Sequence, residues 1–413
     1  MTMRHRLLLG SIGILGLLGC SSSNTEGHTS GYLVNAIAVA DIDANGLPDI
    51  LGVVSTDFDG APAQGYVSTR LQSSAGAFVL PTRFGVGRSP ANLVAQDVNG
   101  DGRPDLVVAN ADDHTVSVRL ADSARPGYFL PAILLSTPDR IPLDVAVGDL
   151  NGDGLMDVVV AAGFVPSPTG TPLPAPTVLV FPQVSPINPT PNTVSFAAPV
   201  SYAVGGSPQA VTVADLDGNG FADIAVATSA NTISVLLQTS AGVVAPAVAY
   251  ATGVQPAAIR AADLNGDGKL DLLTANFGGS VSPDTQGLSV LLQGAPGTFA
   301  APVHYNTGYR AVALAVGDLN GDGKPDIAVA CEGLPGDPGA VSVFLQTPPA
   351  AATPGVFQGA VDYRGAWGPM GVAIADMDGD GHPDLVLADG DIVVRLNSGT
   401  TPGTFGPPNF FYN

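Results

Sequence analysis

Seven stretches of nine residues hold most of the acid in this chain. In order they are DIDANGLPD (Asp41, Asp43, Asn45, Asp49), DVNGDGRPD (Asp97, Asn99, Asp101, Asp105) and DLNGDGLMD (Asp149, Asn151, Asp153, Asp157). Then come DLDGNGFAD (Asp215, Asp217, Asn219, Asp223), DLNGDGKLD (Asp263, Asn265, Asp267, Asp271), DLNGDGKPD (Asp318, Asn320, Asp322, Asp326) and DMDGDGHPD (Asp376, Asp378, Asp380, Asp384). Positions one, three, five and nine are Asp or Asn in every copy, and position six is always Gly. Oxygen donors at alternate places in a tight turn suit a hard cation such as Ca²⁺, which takes about six to eight oxygens, and Gly permits the bend. The backbone carbonyl of position seven can add one more, which leaves that side chain free to vary from Leu47 to Arg103 to His382. The loop is not an EF-hand: where that motif needs a bidentate Glu at position 12, these copies hold residues such as Gly52, Val108 and Val329. Asx-turns alone could close such a loop, but 22 of the 36 acidic residues would then sit clustered with nothing to neutralise them. The expected cofactor is therefore Ca²⁺, about seven ions, one per loop, with a structural role.

The elements that must position these loops follow from their flanks. The copies start 48 to 66 residues apart, and each is preceded by a run of small and β-branched residues such as AVTVA (210–214). After each comes a run such as DIAVAT (223–228), then a third such as TISVLLQ (232–238), and a fourth announced by Gly and Phe, as in GTFAAPVHY (297–305). Runs of this length, rich in β-branched residues and bounded by Gly, Pro, Asn and Asp, read as strands. No window sustains a helical period. Four strands in each of seven units predict an all-β, seven-bladed β-propeller with a Ca²⁺-binding loop in each blade. A right-handed β-helix is the alternative, with rungs usually shorter than these repeats. Whole blades in sequence order, closed by packing the first against the last, are expected; a strand exchanged between terminal blades is the other option.

These repeats resemble the FG-GAP or VCBS family, known from integrin alpha-subunit propellers and many bacterial surface proteins, over nearly all of residues 31–413. In a propeller, loops between first and second strands share a face with those between third and fourth. The opposite face carries the second-to-third loops, which vary from the long stretches at 55–65, 163–177 and 276–287 to a minimal turn at 389–391. It also carries the blade-to-blade turns, where Tyr32, Arg88, Arg140, Tyr309 and Trp367 occupy matched positions and Arg310 adjoins Tyr309. Variable loops on a rigid scaffold are where binding resides, and aromatic and Arg side chains suit a protein or glycan ligand. The same residues can equally serve to pack the turns together. Arg260, midway along an inner strand, is expected to face the central channel or to pair with a carboxylate.

The first nineteen residues read as a signal peptide: Arg4 and Arg6 precede a short apolar core ending Leu17-Leu18-Gly19-Cys20. That ending resembles a lipoprotein lipobox, which implies cleavage before Cys20, lipidation of its thiol and a polar tether through residue 30. The expected location is the bacterial cell envelope, with no spanning segment and held by lipid alone, at the outer membrane where there are two membranes. Removing both arginines makes the remaining net charge more negative than −21, which excludes nucleic-acid partners. One further cysteine, Cys331, leaves no internal disulfide. No HExxH, GxSxG or phosphate-cradling loop is present, so no catalytic residue is assigned. The resulting expectation is an adhesion or interaction module, with a lectin-like or polysaccharide-lyase-like protein, or a structural subunit of an outer-membrane complex, as alternatives.

Overall fold

The computed structural model describes residues 32–56, 64–164, 175–184, 193–278, 287–334, 336–346, 355–365, 367–401 and 403–411. The expected signal peptide, Cys20, the expected tether and much of the three long second-to-third loops lie outside these residues, as does the side chain of Tyr32. Seven four-stranded antiparallel sheets follow one another along the chain. The first uses Tyr32–Ala40, Asp49–Thr56, Gln64–Arg70 and Thr82–Gly85, and the last Gly371–Ala375, Asp384–Asp389, Asp391–Arg395 and Asn409–Phe411. Each sheet pairs its strands in sequence order, so the whole-blade arrangement holds and no strand is exchanged at the closure.

The second strands of blades 2 to 7 are buried along their full length, as in DLVVAN (Asp105–Asn110) and DIAVAC (Asp326–Cys331), because both of their faces are covered by neighbouring blades. The core accordingly lies between blades. Seven hydrophobic clusters each draw on two adjacent blades, from Leu51 with Leu106 between the first two to Val34 with Val386 at the closure. First strands pack side by side around the axis, and their small residues suit that crowding. In blades 1 to 6 each first strand carries a bulge, for example between Pro90 and Asn92 and between Pro256 and Ala258. A proline at the strand start lacks the N–H that a ladder would need, which accounts for the matched prolines in the sequence.

Blades are also fastened near the acidic loops. A side-chain amide just after the third strand reaches back to the position-two carbonyl of the preceding blade's loop. Gln72 donates to Met377, Gln293 to Leu216, Gln346 to Leu264 and Asn397 to Leu319. Gln183 makes the same reach to Val98, at 3.2 Å, when its amide nitrogen is placed on that side. Above this latch an aromatic ring meets the preceding blade's fourth strand edge-on. The pairs are Phe129 on Phe84 (5.1 Å), Phe299 on Tyr250 (5.3 Å), Phe357 on Tyr305 (5.8 Å), Phe405 on Tyr363 (5.2 Å) and Phe78 on Phe411 (5.1 Å).

Candidate metal loops and the face opposite them

Each acidic nonapeptide folds into a nest of hydrogen bonds from its own backbone. In the loop at 318–326, Asp318 accepts the N–H groups of Gly321, Asp322 and Gly323 at 2.7 to 3.1 Å. Asn320 accepts from Asp322, and Asp322 from Lys324. Positions four and six are left-handed, with φ of 74° at Gly321 and 81° at Gly323. Position four is Gly in six copies and Ala44, at φ 60°, in the first.

Position nine has a second task that the sequence did not reveal. Asp326 is fully buried; one carboxylate oxygen accepts the N–H of Leu319 at position two, and the other accepts the N–H of Gln346 beyond the third strand. The same two bonds occur in all seven blades, from Asp49 with Ile42 and Gln72 to Asp384 with Met377 and Asn397. In five blades the acidic loop is thus tied to the strand end whose Gln or Asn latches the preceding blade; in blade 2 that residue is Ala121, and in blade 4 Gln238 makes no such bond. Burial pushes these carboxyls up, to about 7 at Asp105 and about 6 at Asp49, Asp157, Asp223, Asp326 and Asp384, against the opposing pull of their N–H partners.

Three loops bring a triad of carboxylates together, with oxygens all within 4.8 Å of one another: Asp41, Asp43 and Asp49; Asp215, Asp217 and Asp223; Asp376, Asp378 and Asp384. Each triad could hold a metal ion. Asp43 and Asp378 have raised pKa values, first from desolvation and then from neighbouring carboxylates. An oxygen-only cluster with internal repulsion fits a hard divalent cation. Position five stands outside these triads even in the last loop, where it is Asp380; its oxygen accepts the N–H of His382 instead. In the other four loops position three is Asn (Asn99, Asn151, Asn265, Asn320) and position five Asp, so six of the seven loops carry three carboxylates and the last carries four.

On the opposite face the matched residues are largely engaged within the protein. Arg88 is ion-paired to Asp113. The Arg140 guanidinium lies 5.0 Å from the Phe164 ring centroid, and burial lowers its pKa. Arg310 sits 5.3 Å from the Phe277 centroid and 3.3 Å from a Glu332 oxygen. Those three arginines pack turns together. Tyr309 and Trp367 are part-exposed, and the Trp367 backbone N–H is held by Asp389 at 2.9 Å.

Two charged groups on the inner strands resolve differently. Arg260 is exposed on its inner strand, and its Nη1 donates to the carbonyl of Ile259. Asp144 is buried and bonded across three blades. It accepts from Asn92 of blade 2, from the Val145 N–H beside it, and from the Val211 N–H of blade 4 at 2.9 Å. Desolvation raises its pKa, partly countered by the charge of Arg260. Cys331 is buried, its thiol pushed up to about 11 by desolvation, as befits an inert core residue.

A family model described as an FG-GAP-like repeat matches residues 97–160, 215–274 and 279–329. No curated protein sequence matches the chain. Among solved structures, a protein from Lactobacillus plantarum is 15% identical, with a TM-score of 0.52 over 81% of this chain and 86% of its own. BBS1N, solved in complex with ARL6DN, is 12% identical, with a TM-score of 0.50 over 91% of this chain and 96% of its own. At such identities the likeness is one of fold. The first two matched stretches each run from one blade's acidic loop into the second strand of the next blade. The chain is thus a seven-bladed β-propeller that carries FG-GAP-like repeats in these three stretches.

Proposed function

We propose that this propeller is a Ca²⁺-stabilised interaction module of the bacterial cell envelope, anchored by lipid on Cys20, that binds a protein or glycan through the face opposite its acidic loops. One observation carries the reading: the loops agree in all seven copies on one face, while on the other the copies diverge in length and side chain. A scaffold is expected to repeat, and a recognition surface to vary. BBS1N, of the same fold, was solved with a bound partner, which shows the architecture serving as a binding platform in that protein.

Ca²⁺ would be held by the side-chain oxygens of positions one, three and nine, with position five and the position-seven carbonyl completing the oxygen set. It would supply charge neutralisation where three carboxylates meet. Because position nine also grips the third-strand end, a filled loop would stiffen the joint to the preceding blade. Metal analysis of dialysed protein is expected to return about seven Ca²⁺ per chain, with affinities near 10⁻⁴ to 10⁻³ M as in extracellular modules; one ion or fewer overturns the assignment. For the ligand, glycan arrays and envelope pull-downs should be run with the parent chain and with Trp367→Ala. Retention of every captured ligand by the variant would remove Trp367 from the proposed surface.

A further inference from the structure

Six of the seven acidic loops contain an Asn-Gly pair. In that dipeptide the backbone nitrogen of Gly most easily reaches the preceding side chain, because Gly has no Cβ to block the approach. The pairs fall into two classes. In four loops the Asn stands at position three: Asn99-Gly100, Asn151-Gly152, Asn265-Gly266 and Asn320-Gly321. In two it stands at position five: Asn45-Gly46 and Asn219-Gly220. The last loop has Asp at both places, Asp378 and Asp380.

The two classes share a nucleophile and differ at the amide. In both, the Gly N–H is held on the position-one carboxylate. Gly100, Gly152, Gly266 and Gly321 donate to Asp97, Asp149, Asp263 and Asp318 at 2.7 Å. Gly46 and Gly220 donate to Asp41 and Asp215 at 2.7 and 2.8 Å. In both, the Asn carbonyl oxygen accepts the N–H two residues on, as Asn320 does from Asp322 and Asn219 from Phe221. The amide nitrogen separates them. Asn45 Nδ2 donates to the Gln72 carbonyl at 2.8 Å and to Asp43 at 3.1 Å. Asn219 Nδ2 donates to the Gln238 carbonyl at 2.7 Å and to Asp217 at 3.1 Å. Those carbonyls lie just beyond the third strand, so each amide is tied to a second element. Among the described residues, Asn151, Asn265 and Asn320 donate to nothing through Nδ2, and Asn99 has only a 3.4 Å contact with Asp101.

We propose that the four position-three asparagines are sites of spontaneous deamidation, and that the two at position five are protected by their ties. The Gly nitrogen bonds to the Asn Cγ as its proton passes to the position-one carboxylate. The Cγ–Nδ2 bond then breaks, and the amide leaves as ammonia, taking that proton. Solvent water opens the resulting cyclic imide at either carbonyl, which leaves Asp or isoaspartate. To close the ring, the side chain must swing its carbonyl carbon onto the nitrogen, and a tied amide resists that turn. Solvent exposure alone predicts the opposite order, since Asn45 and Asn219 are exposed while the other four are half-buried. The Asp product gives a loop the carboxylates that the last blade carries by sequence, at positions one, three, five and nine. Isoaspartate instead lengthens the backbone by one atom before the Gly, which displaces the N–H that position one holds. This chemistry is independent of the binding face proposed above.

The test incubates the full chain as purified for weeks at physiological temperature, with circular dichroism confirming that it stays folded. Peptide mapping by mass spectrometry then reads the mass gain of amide-to-acid conversion at each site. Asn99, Asn151, Asn265 and Asn320 are expected to convert. Asn45 and Asn219 should lag about tenfold or more, the weight of roughly one hydrogen bond that must break before the side chain can turn. The same chain held in urea should lose that order, with all six sites converting alike. The double substitution Asn320→Asp with Asp322→Asn moves the Asn-Gly pair of blade 6 from position three to position five. Its moved amide should slow to the rate of Asn219. Conversion of all six at one rate in the folded chain, faster conversion at Asn45 and Asn219, no conversion at any of the six, or no slowing in the double variant overturns the proposal.

Discussion

The joint between blades 5 and 6 and the joint between blades 3 and 4 solve one problem at different radii. At the first, Gln346 latches onto Leu264, and Phe357 meets Tyr305 edge-on. At the second, the matching Gln238 is buried with neither amide atom partnered among the described residues, and Val244 stands where the ring would be. What joint 3–4 has instead lies near the axis, where Asp144 accepts the Val211 N–H while also holding Asn92. At matched inner positions blades 4 to 6 carry only Ala210, Ala258 and Ala313. The ring is therefore fastened at its loops over one part of its circumference and at its axis over another.

The largest expected effect comes from cutting the inner fastening. Asp144→Ala should lose about 3 kcal/mol in urea unfolding, because it orphans two buried N–H groups and an amide; a loss below about 1 kcal/mol would break the comparison. Removing an outer latch comes next: Gln346→Ala should cost about 1–2 kcal/mol, since the Leu264 carbonyl loses its donor. At joint 3–4 removing the matching amide should behave differently. Gln238→Leu removes a buried amide that bonds nothing, and its unfolding midpoint should equal or exceed that of the parent. A cost like that of Gln346→Ala would mean that the two joints are alike after all. The smallest effect lies within one loop. Ala44→Gly relieves a left-handed alanine where the other copies have glycine, and should raise stability by about 0.5–1 kcal/mol, net of glycine's greater freedom when unfolded.

Much of this was legible in the sequence because it was written seven times. Blade count, strand number, in-order blades and closure by packing all follow from the repeat and its flanks. The acidic positions were legible as a set, but not their division of labour: spacing cannot show that Asp326 spends both oxygens on backbone N–H groups from two elements. The latch was visible as the Gln ending AVSVFLQ, yet it reads as an ordinary strand end until the preceding blade is beside it, and the same Gln ending TISVLLQ makes no latch. Asp144 was beyond reach for a related reason, since its partners lie 52 residues before it and 67 after it. On the opposite face, residue type pointed to recognition, while the structure shows Arg88, Arg140 and Arg310 engaged by Asp113, Phe164, and Phe277 with Glu332.

The joint between the last blade and the first is made from the same parts as its neighbours: Gln72 donating to Met377 and Phe78 meeting Phe411 edge-on. Nothing in those contacts requires the backbone to be broken there. The order of blades around the circle is thus independent of where the polypeptide is cut. A circularly permuted gene opening at another blade-to-blade turn, with the original ends spliced, should specify the same ring.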